Sequence, residues 1–350
     1  MKRDWKRVIL PGLVFQSVLV GGGYGTGAEI GRYFGRQGLW GGLLGLGVTA
    51  LVWGVLCGLS FDFARVFRAW DYGSMLTLLL GPWALFYDLC YAAMTLIVLG
   101  VVNATAVQIT GSVWGAIAVS CGTILLVLWG TEAVEKAFSV WSYVLYGVYL
   151  LFLLTVFLRF GDGISAEFAR REIGTGWLPS GLQYAGYNLV CIPIVLYTVR
   201  DAASRRDCLL RGALAGLLGT APALLLLLAM ACDLRCAVGQ TSPVGYLFDL
   251  LNLPWLALLF QIVLFGTLIE TGAGFVKAAA DRFSVTGGQY RTVRRAVITV
   301  LVTIAGMAAS SLGLTGLVSR GYGTVCWGFL LLYALPMLVR GRRMLNRRRH

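Results

Sequence analysis

The chain has 350 residues, 58% of them hydrophobic and only 13% charged, with a mean hydropathy of +0.78. A soluble domain cannot carry that balance, because its surface would lack the charged groups that keep it dissolved. The net charge of +13 raises nucleic acid as a partner, but the placement of the basic residues excludes it.

Apolar runs of the length that crosses about 30 Å of hydrocarbon lie near residues 8–34, 38–61, 75–104, 112–130, 138–160, 177–199, 208–232, 253–280, 293–312 and 318–340. The expected architecture is an all-α integral membrane protein of about ten transmembrane helices, 1–350 forming one membrane domain. Lys2, Arg3, Lys6 and Arg7 precede the first run, and no Ala-x-Ala site follows a short apolar stretch, so the first helix is expected to stay as a span. Placing the N-terminus in the cytoplasm puts 22 of the 29 Lys and Arg on the cytoplasmic side. That asymmetry is what the positive-inside rule requires, and it puts both termini inside a bacterial-type inner membrane. The Arg340–Arg349 tail then reads as an anchor on anionic lipid rather than a nucleic-acid arm.

The first span is unusual. After the apolar stretch Val8–Val20 comes Gly21-Gly22-Gly23-Tyr24-Gly25-Thr26-Gly27-Ala28-Glu29. Five glycines in seven residues cost a helix roughly 1 kcal/mol each relative to alanine. Unwound backbone is tolerated at membrane depth only where protein covers it or a watery cavity meets it. A broken helix is therefore expected, its free backbone groups available to a solute or an ion. The alternative is a glycine-rich packing face, the role expected of Gly41 and Gly45 in span 2. A dinucleotide fingerprint fails on Gly23-x-Gly25-x-x-Ala28, since no strand precedes it.

Span 6 repeats the theme with Pro179, Ser180, Gly181, Gln183, Gly186, Asn188 and Pro193. Two faint echoes link the halves: Gly23-Tyr24-Gly25 with Gly186-Tyr187-Asn188, and Gly81-Pro82-Trp83 with Leu253-Pro254-Trp255. Their similar offsets suggest two copies of a five-span unit, 1–160 and 177–340. Five is odd, so the copies are expected to be inverted repeats.

Three acidic residues fall inside spans: Glu29, Asp88 and Glu270. An ionised carboxylate in lipid is costly, so each is expected to be paired, protonated or functional. Glu29 has Arg32, a gate candidate, one turn away; Asp88 has scaffold partners within reach; Glu270 has Lys277 two turns off, too far for a local bridge. The expected substrate contacts are Gly22, Gly23, Tyr24, Gly25, Thr26, Gly27, Glu29, Tyr87, Asp88, Gln183, Tyr184, Gly186, Tyr187 and Asn188. Tyr24, Tyr87, Tyr91, Tyr184 and Tyr187 are either packing residues or the walls of a pocket for a quaternary ammonium. The sole histidine is His350, which excludes an intramembrane histidine relay or a His-rich metal site. Of eight cysteines most are buried filling; Cys232 and Cys236 share a polar loop where a disulfide is permitted but not required.

Several of these motifs together resemble the YkvI-type bacterial membrane proteins over nearly the whole chain. They are Gly22-Gly23-Tyr24-Gly25-Thr26-Gly27-Ala28-Glu29-Ile30, Tyr184-Ala185-Gly186-Tyr187-Asn188, Glu270-Thr271-x-x-Gly274 and Gly316-Leu317-Val318-Ser319-Arg320-Gly321-Tyr322-Gly323. That family looks like a branch of the amino acid–polyamine–organocation superfamily. The resemblance implies the ten-helix LeuT-type fold, with helices 1 and 6 broken and a bundle of spans 1, 2, 6 and 7 rocking against a scaffold of spans 3, 4, 8 and 9. It also implies a Na⁺ between broken helix 1 and helix 8, where Thr267, Glu270 and Thr271 offer oxygens at i, i+3 and i+4. Glu270 departs from the small or hydroxyl residue usual there, and leaves Na⁺ and a proton both open as the coupling ion.

The function expected from these readings is secondary transport of a small amino-acid-like, amine or zwitterionic solute, by a monomer or homodimer without cofactor. A ligand sensor on the same fold is the alternative, although no soluble signalling domain interrupts the spans. A membrane enzyme is disfavoured, because no cysteine has a basic partner and no metal-ligand cluster stands out.

Overall fold

The computed structural model describes residues 5–284, 291–312 and 322–348. Among them every regular element is helical, as the need to satisfy backbone groups within lipid dictates. Among the described residues seven helices are long and apolar enough to cross a membrane, and Val113–Trp129 is a shorter apolar one. The two remaining spans, 1 and 6, fall short because each is interrupted.

Span 1 comprises Trp5–Leu19, Gly22–Gly25 and Ala28–Tyr33. Spans 2 to 5 are Gly38–Phe67, the pair Tyr72–Leu80 and Ala84–Thr110, Val113–Trp129 and Thr131–Arg170. Span 6 comprises Trp177–Asn188, Cys191–Ile194 and Leu196–Val199; spans 7, 8 and 9 are Arg205–Met230, Pro254–Phe283 and Arg291–Ala309. Span 10 runs from Tyr322–Phe329 through two π-helical stretches to Arg342–Arg347. The C-terminal motif around Gly316–Gly321 lies outside the described residues.

Side chains sort as the solvent demands. Leu125, Leu150 and Leu158 on spans 4 and 5 point outward, and exposed Trp83, Trp114 and Trp129 sit at span ends, where indole rings suit the membrane–water boundary. The connections after spans 5 and 7 are helical. Span 5 bends at Phe160, which has non-helical φ/ψ, and continues as helix to Arg170. Leu234–Ala237 and Pro243–Leu251 lie between spans 7 and 8, with the Tyr246 hydroxyl donating to Asp233 Oδ2 at 2.5 Å. Cys232 and Cys236 are both free thiols.

Close helix packing rests on small residues. Span 7 lies directly on span 2: a Cβ added at Gly216 would meet the Gly54 nitrogen at 2.7 Å. Gly45 lies against span 6, since a Cβ at Gly181 would come within 2.7 Å of its carbonyl oxygen; Gly41 meets the connection before span 6, at Gly174. Pro222 inside span 7 cannot bond to the Leu218 carbonyl. Tyr146 of span 5 fills that gap, its hydroxyl donating to Leu218 O at 2.7 Å.

Gly216→Ala should force spans 2 and 7 apart at a cost of about 1–3 kcal/mol. Gly147→Ala, where nothing lies within 4 Å, should be neutral or stabilise span 5 by up to about 1 kcal/mol. Thermal melts of the two purified variants in one detergent test the contrast.

Candidate functional site

The first helix loses its regular bonding where the glycines begin. Val20 N still donates to Gln16 O at 3.0 Å, but Gly21 N turns back to Leu19 O at 2.8 Å, two residues away. Gly21 itself is extended (φ −90°, ψ −166°), and a single helical turn follows over Gly22–Gly25. A second interruption comes at Thr26–Gly27, where Gly27 adopts φ +79°, a conformation that penalises any side chain. Thr26 Oγ1 donates back to Gly22 O at 2.8 Å.

In span 6 the interruption lies later than the motif. Gly186-Tyr187-Asn188 completes a regular helix, and bonding changes only at Leu189. From there Leu189, Ile192, Val195 and Thr198 each donate to the carbonyl three residues back, at 3.1–3.2 Å. One α-turn, Cys191–Ile194, contains Pro193, and the chain then tightens into a 3₁₀ stretch over Leu196–Val199. Pro179 and Gly181 leave the first half intact, because proline is tolerated in a first turn.

The two interruptions face each other across a small cavity of about 20 Å³, room for about one water. Span 1 contributes Val18, Leu19, Gly21, Gly22 and Glu29; span 6 contributes Tyr187, Asn188 and Cys191; span 8 contributes Thr271 and Phe275. Met94, Val98, Val101 and Val102 of span 3 complete the wall. Glu29 lies past both breaks, yet its carboxyl folds back over the first: a Cβ on residue 23 would sit 2.9 Å from its carboxyl carbon. A side chain at residue 23 would displace that carboxyl. Tyr187 donates to Glu29 Oε2 at 2.5 Å, and no ion pair with Arg32 takes its place. Arg32 lies beside the Tyr33 ring, 5.9 Å from its centroid.

Of the residues expected at the site, Gly22, Glu29, Tyr187, Asn188 and Thr271 line this cavity, and Gly23 supports Glu29. The others are elsewhere. Tyr24 turns to span 7, where its hydroxyl donates to Gly219 O at 3.1 Å; Gly25 packs on Leu264, and Gly27 on Pro243 and Val244. Tyr184 is enclosed by Phe34, Trp53 and Tyr33, Gly186 by Cys326 and Leu330. Gln183 is half-buried and accepts from the Cys326 thiol through its carbonyl. Tyr87 packs against Tyr72, Phe329 and Tyr333. Tyr91 stacks on Tyr72 and donates to Phe275 O at 2.8 Å. The tyrosine cage therefore does not form; Tyr187 alone of the five meets the cavity.

Asp88 is a correction. It lies one turn into span 3 at the end where span 8 finishes, and Arg282 reaches it with Nη2–Oδ2 at 2.8 Å and Nε–Oδ1 at 3.2 Å. Tyr72 donates to the same carboxylate. Opposite charges arriving at one end of adjacent helices have made a tie between spans 3 and 8.

Beside the cavity, span 1 meets the Thr267–Thr271 face of span 8. Thr271 Oγ1 donates to Ser17 O at 3.3 Å, while Thr267 Oγ1 turns inward to Leu264 O at 2.7 Å. Both carboxylate oxygens of Glu270 are buried with no hydrogen-bond partner, and Ser17 is the polar side chain beside them. Ser17 in turn pairs with Ser142 of span 5 at 2.9 Å. Buried polar atoms are rarely left bare, and this cluster of hard oxygen ligands suits a small cation or a proton.

A larger cleft of about 380 Å³ lies at the basic end of the molecule, lined by Pro193, Ile194, Tyr197, Lys277, Asp281, Arg282 and Arg295 among others. The 3₁₀-like stretch of span 6 separates it from the cavity, with Cys191 on one and Pro193 to Tyr197 on the other. Lys277 Nζ sits 4.9 Å from the Tyr197 ring centroid and bonds Asp281 at 2.7 Å.

A chain whose first and sixth spans break opposite each other has the LeuT-type fold, and comparison with solved structures agrees. The chain is similar to a Na⁺-coupled sialic acid symporter in a substrate-bound outward-open state, with TM-score 0.72 and 12% identity over 95% of this chain and 79% of that one. It is similar to MhsT in complex with L-phenylalanine, with TM-score 0.66 and 17% identity over 93% and 87%. It is also similar to Mhp1, a nucleobase-cation-symport-1 family transporter closed around bromovinylhydantoin, with TM-score 0.56 and 16% identity over 93% and 74%. No family model and no curated protein matches the sequence.

Asp88→Asn and Arg282→Gln should each lower stability by up to about 3 kcal/mol, by leaving one charge half-buried and alone. The double variant should recover at least about 1 kcal/mol of the summed loss. Melts of all four proteins close the cycle.

Proposed function

We propose that this chain is a secondary active transporter of a small solute bearing an amine, driven by Na⁺ or H⁺ and working by alternating access. The observation that carries this reading is the small cavity where two interrupted spans meet, with the carboxylate of Glu29 in its wall. A buried carboxylate facing free space is a receptor for a cationic group. Broken spans supply backbone groups and a place to bend. Fold likeness to symporters supports the reading.

Glu270, Thr271 and the Ser17 carbonyl form the coupling site in this reading. The orphaned Glu270 oxygens fit either a Na⁺, which they would ligate directly, or a proton, which they would carry. The two five-span halves, 1–160 and 177–340, act as inverted copies, their interrupted spans 1 and 6 occupying corresponding places. Membership in the amino acid–polyamine–organocation superfamily belongs to the same proposal. So do an inner-membrane location with both termini cytoplasmic and contact of Arg340, Arg342, Arg343, Arg347 and Arg348 with anionic lipid.

Glu270→Gln keeps the shape but removes the charge and the exchangeable proton. Gradient-driven uptake into proteoliposomes should fall to background in this variant, while yield and monodispersity match the unaltered protein. Unchanged coupled uptake would end the assignment of Glu270. Ligand binding without net flux by the unaltered protein would make the chain a sensor instead.

A further inference from the structure

Among the described residues the cavity wall contains one acidic side chain, Glu29, and no basic one. Apart from Tyr187, Asn188 and Thr271, it is mostly apolar, with Val98, Val101 and Phe275 as examples. Glu29 Oε2 is occupied by the Tyr187 hydroxyl. Oε1 lies over Gly23 and accepts no hydrogen bond from a described residue. One oxygen is thus held in place and the other left free for a ligand.

Such a wall discriminates by charge. A carboxylate brought within about 4 Å of ionised Glu29 meets roughly 4 kcal/mol of repulsion at an effective dielectric constant near 20. An ammonium gains attraction of the same size. A zwitterion brings a carboxylate as well as its ammonium, and this wall has no basic side chain to receive the acid. Taking this cavity as the solute site proposed above, we infer that the solute is an organic monocation, an amine without a carboxylate, and that it enters by displacing a proton from Glu29.

The exchange balances. The Glu29 O–H bond breaks, its proton leaves to the side from which the amine came, and the carboxylate so formed pairs with the R–NH₃⁺ group. When the amine departs on the far side, a proton from that side restores the acid. Empty and loaded cavities therefore carry the same net charge, so neither form exposes a bare carboxylate to the membrane interior during reorientation.

Matched pairs that differ only by the carboxylate test this: phenethylamine against phenylalanine and isobutylamine against valine. Full-length protein in lipid nanodiscs is titrated with each, following heat and released protons, and proteoliposomes report flux. The amine of a pair should bind at least about tenfold tighter than its amino acid. Its affinity should weaken as the medium is made more acid, with about one proton released per amine bound in that range. Glu29→Gln should abolish both the release and the preference, and Glu29→Asp should retain them in part, which separates lost charge from lost folding. Tighter binding of the amino acids, an unaltered preference in Glu29→Gln, or no binding of either amine would overturn the inference. Amino-acid flux would leave the transporter reading standing; amine binding with proton release but no flux would leave the cation assignment standing and remove transport.

Discussion

A backbone that stops bonding to itself inside lipid must be covered by protein, and the rest of this structure follows from that requirement. Between Leu19 and Ala28 the first span surrenders its helical ladder twice. Span 3 covers the first break through Val101 and Thr105, span 8 covers it through Thr271 and the following turn through Leu264, and the short helix Pro243–Leu251 caps the second. The glycines serve both sides of this arrangement. They let the chain turn, and they let neighbours approach until Thr271 and the Glu29 carboxyl lie against main chain. Enough side chain is missing that a small cavity remains, and that cavity is where the chemistry collects.

Electrostatics divide the molecule in the same way. At its basic end the charges are tied: Asp88 to Arg282, Asp281 to both Lys277 and Arg295, and Arg211 to both Asp201 and Asp207. Those pairs lie near helix ends, where water lowers the cost of a charge and partners from adjacent spans converge. Glu29 and Glu270 lie in the middle and have no such partner among the described residues. A polar group retained at that depth without a counter-charge is a cost to folding, and a ligand able to neutralise it removes the cost. The Asp88–Arg282 pair ties span 3 to span 8, and the Asp281–Arg295 pair ties span 8 to span 9.

How far the amino-acid sequence disclosed this varies by feature. Glycine clustering and Pro193 announce the broken spans, because both act through the chain's own backbone. The displacement of the second break to Leu189 was hidden, since Gly186 and Asn188 resemble the motif of span 1 but tertiary packing against Cys326 and Leu330 keeps them helical. Glu29 stood out as a buried acid, whereas its partner depended on which helix lay opposite; spacing offered Arg32, and the fold supplied Tyr187. Met94, Val98 and Val101 gave no signal at all. Span 3 places Thr95, Asn103 and Thr105 on buried faces, but Met94, Val98 and Val101 themselves read like lipid-facing residues. For Asp88 a scaffold partner was one of two readings, but nothing local marks Arg282, 194 residues away, as that partner.

The positions of the two candidate sites supply a physical route from one to the other under the proposed function. Glu29 and Tyr187 join two interrupted spans, so a solute between them is held by the parts of the chain that have given up regular helix. Glu270 and Thr271 belong to an uninterrupted helix and touch span 1 at Ser17, one turn before its break. A cation held there by Glu270 and the Ser17 carbonyl fixes the end of the first helical piece against span 8. Gly21 and Gly22 begin four residues later, and they wall the solute cavity. Filling the ion site therefore sets where that wall stands, and the solute in turn sets how well the Ser17 carbonyl is presented; by linkage each must strengthen the other to the same degree. On the far side of the cavity, the loosened stretch from Cys191 to Tyr197 and the Phe275–Lys277 turn of span 8 lie between the solute and the cleft at the basic end. A wall built on three-residue bonding gives up less on opening than a full α-helix would, which makes it the place where release costs least.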